Sequence, residues 1–163
     1  MTEINSLLIL PRLRVQAANA VSGPLTWGFP SPTAFTGFAH ALERRLAADL
    51  PAGIAGVGII CHRFEPQVYH PAGNYTRVFC LTRNPVNKDG ATASLVEEGK
   101  AHMEVTLVIA LADWVLEDDR TALLASISRT ALSMRLAGGS LLPQRHGPRF
   151  APRLEEWPSA QAD

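Results

Sequence analysis

Between His102 and Ala112 the chain alternates: Met103, Val105, Leu107, Ile109 and Leu111 fall on one face, His102, Glu104 and Thr106 on the other. A period of two marks a strand with one face on a core, and such a strand needs partners to pair with and a layer to cover it. The remaining elements are placed around it. Ser6–Val15 reads as a first strand, with Pro11 marking an edge position or a bulge. Ser31 as N-cap and Pro32 at the first helical position open a helix expected over Pro32–Leu50. Its apolar stripe is Phe35, Phe38, Leu42 and Leu46, with Arg44 and Arg45 directed away from it. Gly56–Tyr69 reads as a second strand, Pro71-Ala-Gly-Asn as a turn, and Tyr75–Thr82 as a third strand closing a hairpin. Leu95–Lys100 reads as a short helix or turn. Asp118 and Asp119 offer an N-cap and first-turn acids for a second helix, whose stripe is Leu123, Leu124, Ile127, Ala131 and Met134. Gly138-Gly139 reads as its C-terminal stop, before a short last strand at Ser140–Leu142.

With the added hairpin strand set aside, the order is strand, helix, strand, strand, helix, strand. That is the ferredoxin-like split βαβ pattern of the α+β class: an antiparallel sheet with two helices on one face. RNA-recognition domains of this architecture use the open face. One domain is expected over 1–142, followed by an irregular Pro- and Arg-rich tail at 143–163.

Of 163 residues, 47% are hydrophobic and 18% charged, which predicts a globular chain. The formal net charge of zero excludes coating of nucleic acid by bulk charge. The charge is uneven, however. Residues 1–88 carry eight Lys/Arg against four Asp/Glu, and residues 89–163 seven against eleven. That split allows one face for an anionic ligand and another for a protein. Leu7–Leu10 is too short for a secretory core before Pro11 and Arg12, and no apolar run approaches a membrane span. A cytoplasmic protein is expected, with Cys61 and Cys80 as buried free thiols.

Residues 19–32 form a stiff loop with three prolines, two glycines and two aromatics. Strand-to-helix loops usually run to about 2–6 residues, so this one reads as a platform that holds Asn19, Ser22, Trp27 and Phe29 for a partner. The alternative is that Trp27 and Phe29 plug the core. Arg12 and Arg14 sit at period two on the first strand and share a side. Arg63, Arg77 and Arg83 fall on the hairpin strands and Lys88 in the loop that follows. Guanidinium groups grip phosphates and stack on bases; with the aromatics they would make a single-stranded RNA surface. Solvated strand-edge charges are the competing reading. Gly138 and Gly139 could cap a helix or let backbone approach RNA closely.

No phosphate loop or dinucleotide fingerprint occurs, and no cofactor is expected. Cys61, His62, Cys80 and His102 include metal-ligand types without paired spacing, so no metal site is expected. A metal-independent ribonuclease needs a base, an acid and a cation. His62, Tyr69, His70 and Lys88 supply the types without a diagnostic arrangement.

Leu10-Pro-Arg-Leu-Arg, Gln16, Asn19-Ala20, Pro24-Leu-Thr-Trp-Gly-Phe-Pro-Ser-Pro, Gly58-Ile-Ile-Cys-His-Arg-Phe-Glu, Leu81-Thr-Arg-Asn-Pro, Val96-Glu-Glu-Gly and Met134-Arg-Leu-Ala-Gly-Gly-Ser-Leu-Leu-Pro together resemble one family. It is that of the second Csy subunit of the type I-F CRISPR surveillance complex, a RAMP protein of the Cas-five group. The resemblance covers about residues 6–143. It implies a ferredoxin-like core and a non-catalytic role: holding the 5′ handle of the CRISPR RNA (crRNA) with the large Csy subunit, next to the first backbone Csy subunit. Target DNA would be met only through the assembled complex, and no membrane is involved. By position, the resemblance carries RNA contact onto Arg12, Asn19, Ser22, Trp27, Arg83, Asn84 and Arg135. Members of that family continue well past the segment ending at Pro143. Two other readings stay open: a shortened mimic that enters the complex and blocks its assembly, and a metal-independent crRNA-processing endoribonuclease.

Overall fold

The computed structural model describes residues 3–80, 85–93, 98–143 and 145–157. In chain order the elements are β1 (Ser6–Asn19), β2 (Val21–Gly23), β3 (Thr26–Trp27), α1 (Pro32–Arg45), β4 (Ile54–Pro66), β5 (Val68–Tyr69) and β6 (Val78–Phe79). There follow β7 (Lys100–Leu111), α2 (Glu117–Leu132), β8 (Arg135–Leu136), β9 (Gly139–Leu141), a 3-10 turn at Pro148–Phe150 and β10 (Arg153–Glu156). The main sheet runs β4-β7-β1-β9-β8, with β10 also on β1. Its pairings are antiparallel. With β5 and β6 apart as a small hairpin, β1, β4, β7 and β9 alternate with the two helices as a ferredoxin-like fold requires.

The alternation in β7 does what its pattern dictates. Met103, Val105, Leu107, Ile109 and Leu111 are buried with Leu8, Leu10, Leu13 and Val15 of β1. Phe35, Phe38 and Leu42 of α1, and Leu123, Ile127 and Ala131 of α2, close over that face. Burying an aliphatic side chain of this size stabilises by roughly 1.5–3 kcal/mol, so this layer dominates the fold.

β1 is longer than its apolar pattern and holds two irregularities. Its register against β7 slips between Leu10 and Leu13 and again between Val15 and Ala18. At those points Arg12 and Ala17 take φ of 50° and 55°, the left-handed region that side chains with a Cβ occupy at a cost. The bulge expected beside Pro11 is present; the edge position is not, because β1 lies between β7 and β9.

Several boundaries differ from the sequence expectation. α1 ends at Arg45, yet Leu46 and Leu50 stay buried as the chain turns beneath the helix. α2 starts at Glu117 with Leu116 at the N-cap, so Asp118 and Asp119 are first-turn acids only. Gly138 and Gly139 do not stop α2, which is capped at Ser133. Instead Ala137 (φ 49°) and Gly138 (φ 75°) form the turn of the β8–β9 hairpin. The third strand is described only as Val78–Phe79, and residues 81–84 lie outside the described residues. After Pro143, where no regular element was expected, β10 pairs with Ser6–Ile9 and buries Leu154, while Phe150 is buried beneath Arg145 and Arg149. Cys61 and Cys80 are free but exposed, against the expected burial; Cys61 sits on β4 at the sheet edge. Among the described residues no helix is long and apolar enough to cross a membrane.

Gly139 is held for steric reasons. A Cβ there would sit 2.7 Å from Gln16 O, 2.7 Å from Val15 Cγ1 and 2.8 Å from Ala18 N. Two of those atoms are backbone, at the second β1 bulge, and cannot yield. Gly139→Ala should therefore cost about 1–3 kcal/mol of unfolding free energy in a urea titration; an unchanged midpoint would contradict this packing.

Candidate nucleic-acid interface

A groove of about 780 Å³ lies where the end of β1, the length of α1 from Thr33 to Arg45 and the β8–β9 hairpin meet. It brings together four of the residues read from the sequence: Asn19, Ser22, Arg135 and Gly138. The small side chains Ala34, Gly37 and Ala41 keep the α1 wall low, and Arg45 and Arg135 supply charge. Among the described residues no carboxylate lines it. A shallow extension along α1 adds His40 and Arg44.

Local bonding explains this shape. The Asn19 side chain donates from Nδ2 to Val21 O (2.8 Å) and accepts from Val21 N (3.1 Å), which fixes the entry to the stiff loop. Ser31 caps α1 by accepting from Thr33 N at 3.4 Å, with Pro32 at the first position, so the positive end of the helix dipole lies at one end of the groove and Arg45, in the last turn, at the other. Arg135 Nε donates to Gly138 O at 3.0 Å, and Arg45 Nη1 to Ser133 Oγ at 3.5 Å. Two guanidinium groups are thereby held at the groove, Arg45 at the end of α1 and Arg135 on β8.

The open face of the sheet is different in kind. Glu104 on β7, 7% exposed, takes Arg12 Nη1 on Oε1 at 2.9 Å and Arg145 Nη1 on Oε2 at 3.6 Å. The Arg12 hydrogen bond holds its carboxyl below the ordinary 4.5, against the opposing effect of burial, with Arg145 adding to the lowering. Arg12 N and His62 Nε2 both bond Thr106 Oγ1, at 3.0 and 2.8 Å. Arg63 pairs with Glu65, and Arg14 Nη2 donates to Pro143 O at 2.8 Å. Arg12 and Arg14 thus share a face as expected, Arg63 joins them there, and most of their charge is answered within the protein.

The aromatics divide. Trp27 is 48% exposed and meets Phe79 edge-on at 5.4 Å. Phe29 stacks on Phe35 at 5.4 Å and meets Phe64 edge-on. Gly139 lies behind the groove against β1. Lys88 sits in an exposed turn and lines neither the groove nor its extension. Arg83 and Asn84 lie outside the described residues. His62 is bound to Thr106 on β7, while Tyr69 and His70 are exposed at the end of the β5 strand. Sequence reasoning missed Arg44 and Arg45 as groove cations. Two adjacent arginines opposite an apolar stripe read equally well as a solvated helix face, and only the position of β8 makes Arg45 part of a wall.

Fold and groove together define a ferredoxin-like α+β domain with a cationic groove at one sheet end. The chain matches the CRISPR-associated protein (Cas_Csy2) family over residues 8–162. It is 56% identical over 144 residues to the CRISPR-associated protein Csy2 of Pseudomonas aeruginosa (strain UCBPP-PA14), an alignment that takes in 88% of this chain and 44% of that protein. The chain belongs to this Csy2 family and spans under half the length of that curated relative.

The two lowered carboxyls give a pH signature. Glu104 is lowered chiefly by Arg12, and Glu43 chiefly by the hydrogen bond from Ile54 N, at 2.9 Å. A carboxyl whose folded pKa is depressed contributes stability that is present above its unfolded value and lost as pH falls through the folded one. Stability should therefore drop as pH falls below about 4.5, and Glu104→Gln should flatten part of that drop while costing about 1–3 kcal/mol at pH 7. Chemical denaturation at pH 3, 4, 5 and 7 measures both. An acid limb of equal slope in the variant would contradict the assignment.

Proposed function

We propose that this chain is a non-catalytic, cytoplasmic RNA-binding subunit of a type I-F CRISPR surveillance complex. In this reading it grips the 5′ handle of the crRNA in the groove beside α1, next to the large Csy subunit and the first backbone Csy subunit. DNA is reached only through the assembled complex. The observation that carries the reading is the groove itself: it holds Arg45 and Arg135 where Asn19, Ser22 and Gly138 converge, and among the described residues no carboxylate lines it. Phosphates are drawn to guanidinium groups and to a helix N-terminus, and Trp27 beside this region offers a face on which an unpaired base can stack.

The division of charge supports the groove over the open sheet face. Arg12 and Arg63 would have to leave Glu104 and Glu65 before binding a phosphate, whereas among the described residues Arg45 and Arg135 have no acidic partner to leave.

The test is binding of the 5′-handle crRNA to this chain co-purified with the large Csy subunit. Arg135→Ala and Arg45→Ala should each weaken binding by about 1–2 kcal/mol and lower its salt dependence. Trp27→Ala should cost about 1–3 kcal/mol of binding with a nearly unchanged melting temperature. Arg63→Ala should leave binding intact, and the RNA should stay uncut on long incubation. Loss of binding in Arg63→Ala alone, or cleavage of the RNA that His62→Ala abolishes, would overturn the reading.

A further inference from the structure

A second cleft lies at the other end of the sheet, where β1 starts and β7 ends. Two loops, residues 46–53 after α1 and residues 112–116 before α2, build it together with the first turns of α2. Asp113 ties them together: Oδ1 accepts from Ala52 N at 3.0 Å and Oδ2 from Gly53 N at 3.1 Å. Ala112 N donates to Gly53 O at 3.0 Å, and Asn5 Nδ2 to Ala112 O at 2.7 Å. The loop held this way presents Trp114 and Leu116, 68% and 70% exposed. Both line a cleft of about 410 Å³ with Ala48, Asp49, Asp119 and Leu123.

Two features of this cleft have no purpose inside the domain. Leu116 occupies the N-cap of α2 but makes no side-chain cap bond, so a Ser or Asp there would serve the helix better. Trp114 and Leu116 also leave apolar surface in water on a loop that is pinned by four hydrogen bonds and is unable to fold them inward. Exposed adjoining apolar side chains of this kind mark interaction sites, and tryptophan is enriched where binding energy concentrates. Charge then selects the occupant. Asp49, Asp118 and Asp119 make no ion pair among the described residues, whereas Glu117 is paired with Arg120. Unanswered carboxylates repel nucleic acid and anionic lipid and favour Lys or Arg.

We propose that this cleft docks a protein segment bearing an apolar side chain flanked by lysines or arginines. The anchor would lie between Trp114 and Leu116, and its cationic neighbours against Asp49 and Asp119, the two carboxylates that line the cleft. The site is separate from the RNA groove and does not depend on it.

The experiment pans a random twelve-residue phage-displayed peptide library on the folded chain without RNA, then measures the selected peptides as synthetic probes. Enriched sequences should carry an aromatic or aliphatic residue beside at least two Lys or Arg. Trp114→Ala and Leu116→Ala, both at exposed positions, should weaken them at least tenfold with an unchanged circular dichroism spectrum. Asp49→Asn with Asp119→Asn should weaken them about threefold or more and reduce the effect of salt. The proposal is overturned if no basic-apolar motif is enriched, if the Trp114 and Leu116 variants bind equally, or if crRNA competes with the peptides, which would put them in the groove.

Discussion

Strands β1 and β7 pair along nearly their whole length, from Ser6 opposite Leu111 to Asn19 opposite Lys100, and the other elements of the main sheet take their positions from that pair. Each strand contributes an apolar row to one face, which the two helices cover. β4 adds to β7 on one side and β9 to β1 on the other. The pair is not regular. The bulges at Arg12 and Ala17 shorten its effective register and turn the end of β1 toward the β8–β9 hairpin, where Asn19 N donates to Ala137 O at 2.8 Å. The same irregularity brings Gly139 against the β1 backbone and so forms the floor beside the groove.

Charge on this scaffold is sorted by what answers it. On the open face, Glu104 is almost buried between Arg12 and Arg145, and Arg63 has Glu65. Paired in this way, the cations stiffen the sheet and keep a polar network satisfied. Among the described residues, Arg44 and Arg45 of α1 make no ion pair, although His40 is paired with Glu43, and at the far sheet end Asp49 and Asp119 make none. A chain of zero net charge can therefore present both a cationic groove and an acidic cleft, at opposite ends of β1 and β7.

Much of this was legible in the residues. The period-two pattern of β7, the Ser31-Pro32 helix start and the bulge at Pro11 each follow from one local rule, and the strand-helix order then gives the ferredoxin-like class. The local signals failed where tertiary contacts decide. The Gly138-Gly139 pair looks like a helix stop, but the α2 backbone is already capped at Ser133, and the glycines serve a hairpin and a close contact. The segment after Pro143 has no periodicity, yet β1 offers it a pairing edge, and Leu154 and Phe150 become buried. For the site, residue types pointed to Arg12, Arg14 and Arg63 as readily as to Arg135. Their partners distinguish them, Glu104 for Arg12, the Pro143 carbonyl for Arg14 and Glu65 for Arg63, and no spacing rule reveals that Glu104 stands between Arg12 and Arg145. Trp114 and Leu116 drew no notice because single apolar residues beside a helix start are ordinary until their exposure is known.

The most direct measurement is photo-crosslinking of a 4-thiouridine-substituted 5′-handle crRNA to this chain bound to the large Csy subunit, with the crosslinked peptides mapped by mass spectrometry. Crosslinks within residues 19–27 and 133–138 are the result expected if the handle lies in the groove. Crosslinks confined to β4 around His62 and Arg63, or to Arg12 and Arg14 of β1, would place RNA on the open face and contradict the account.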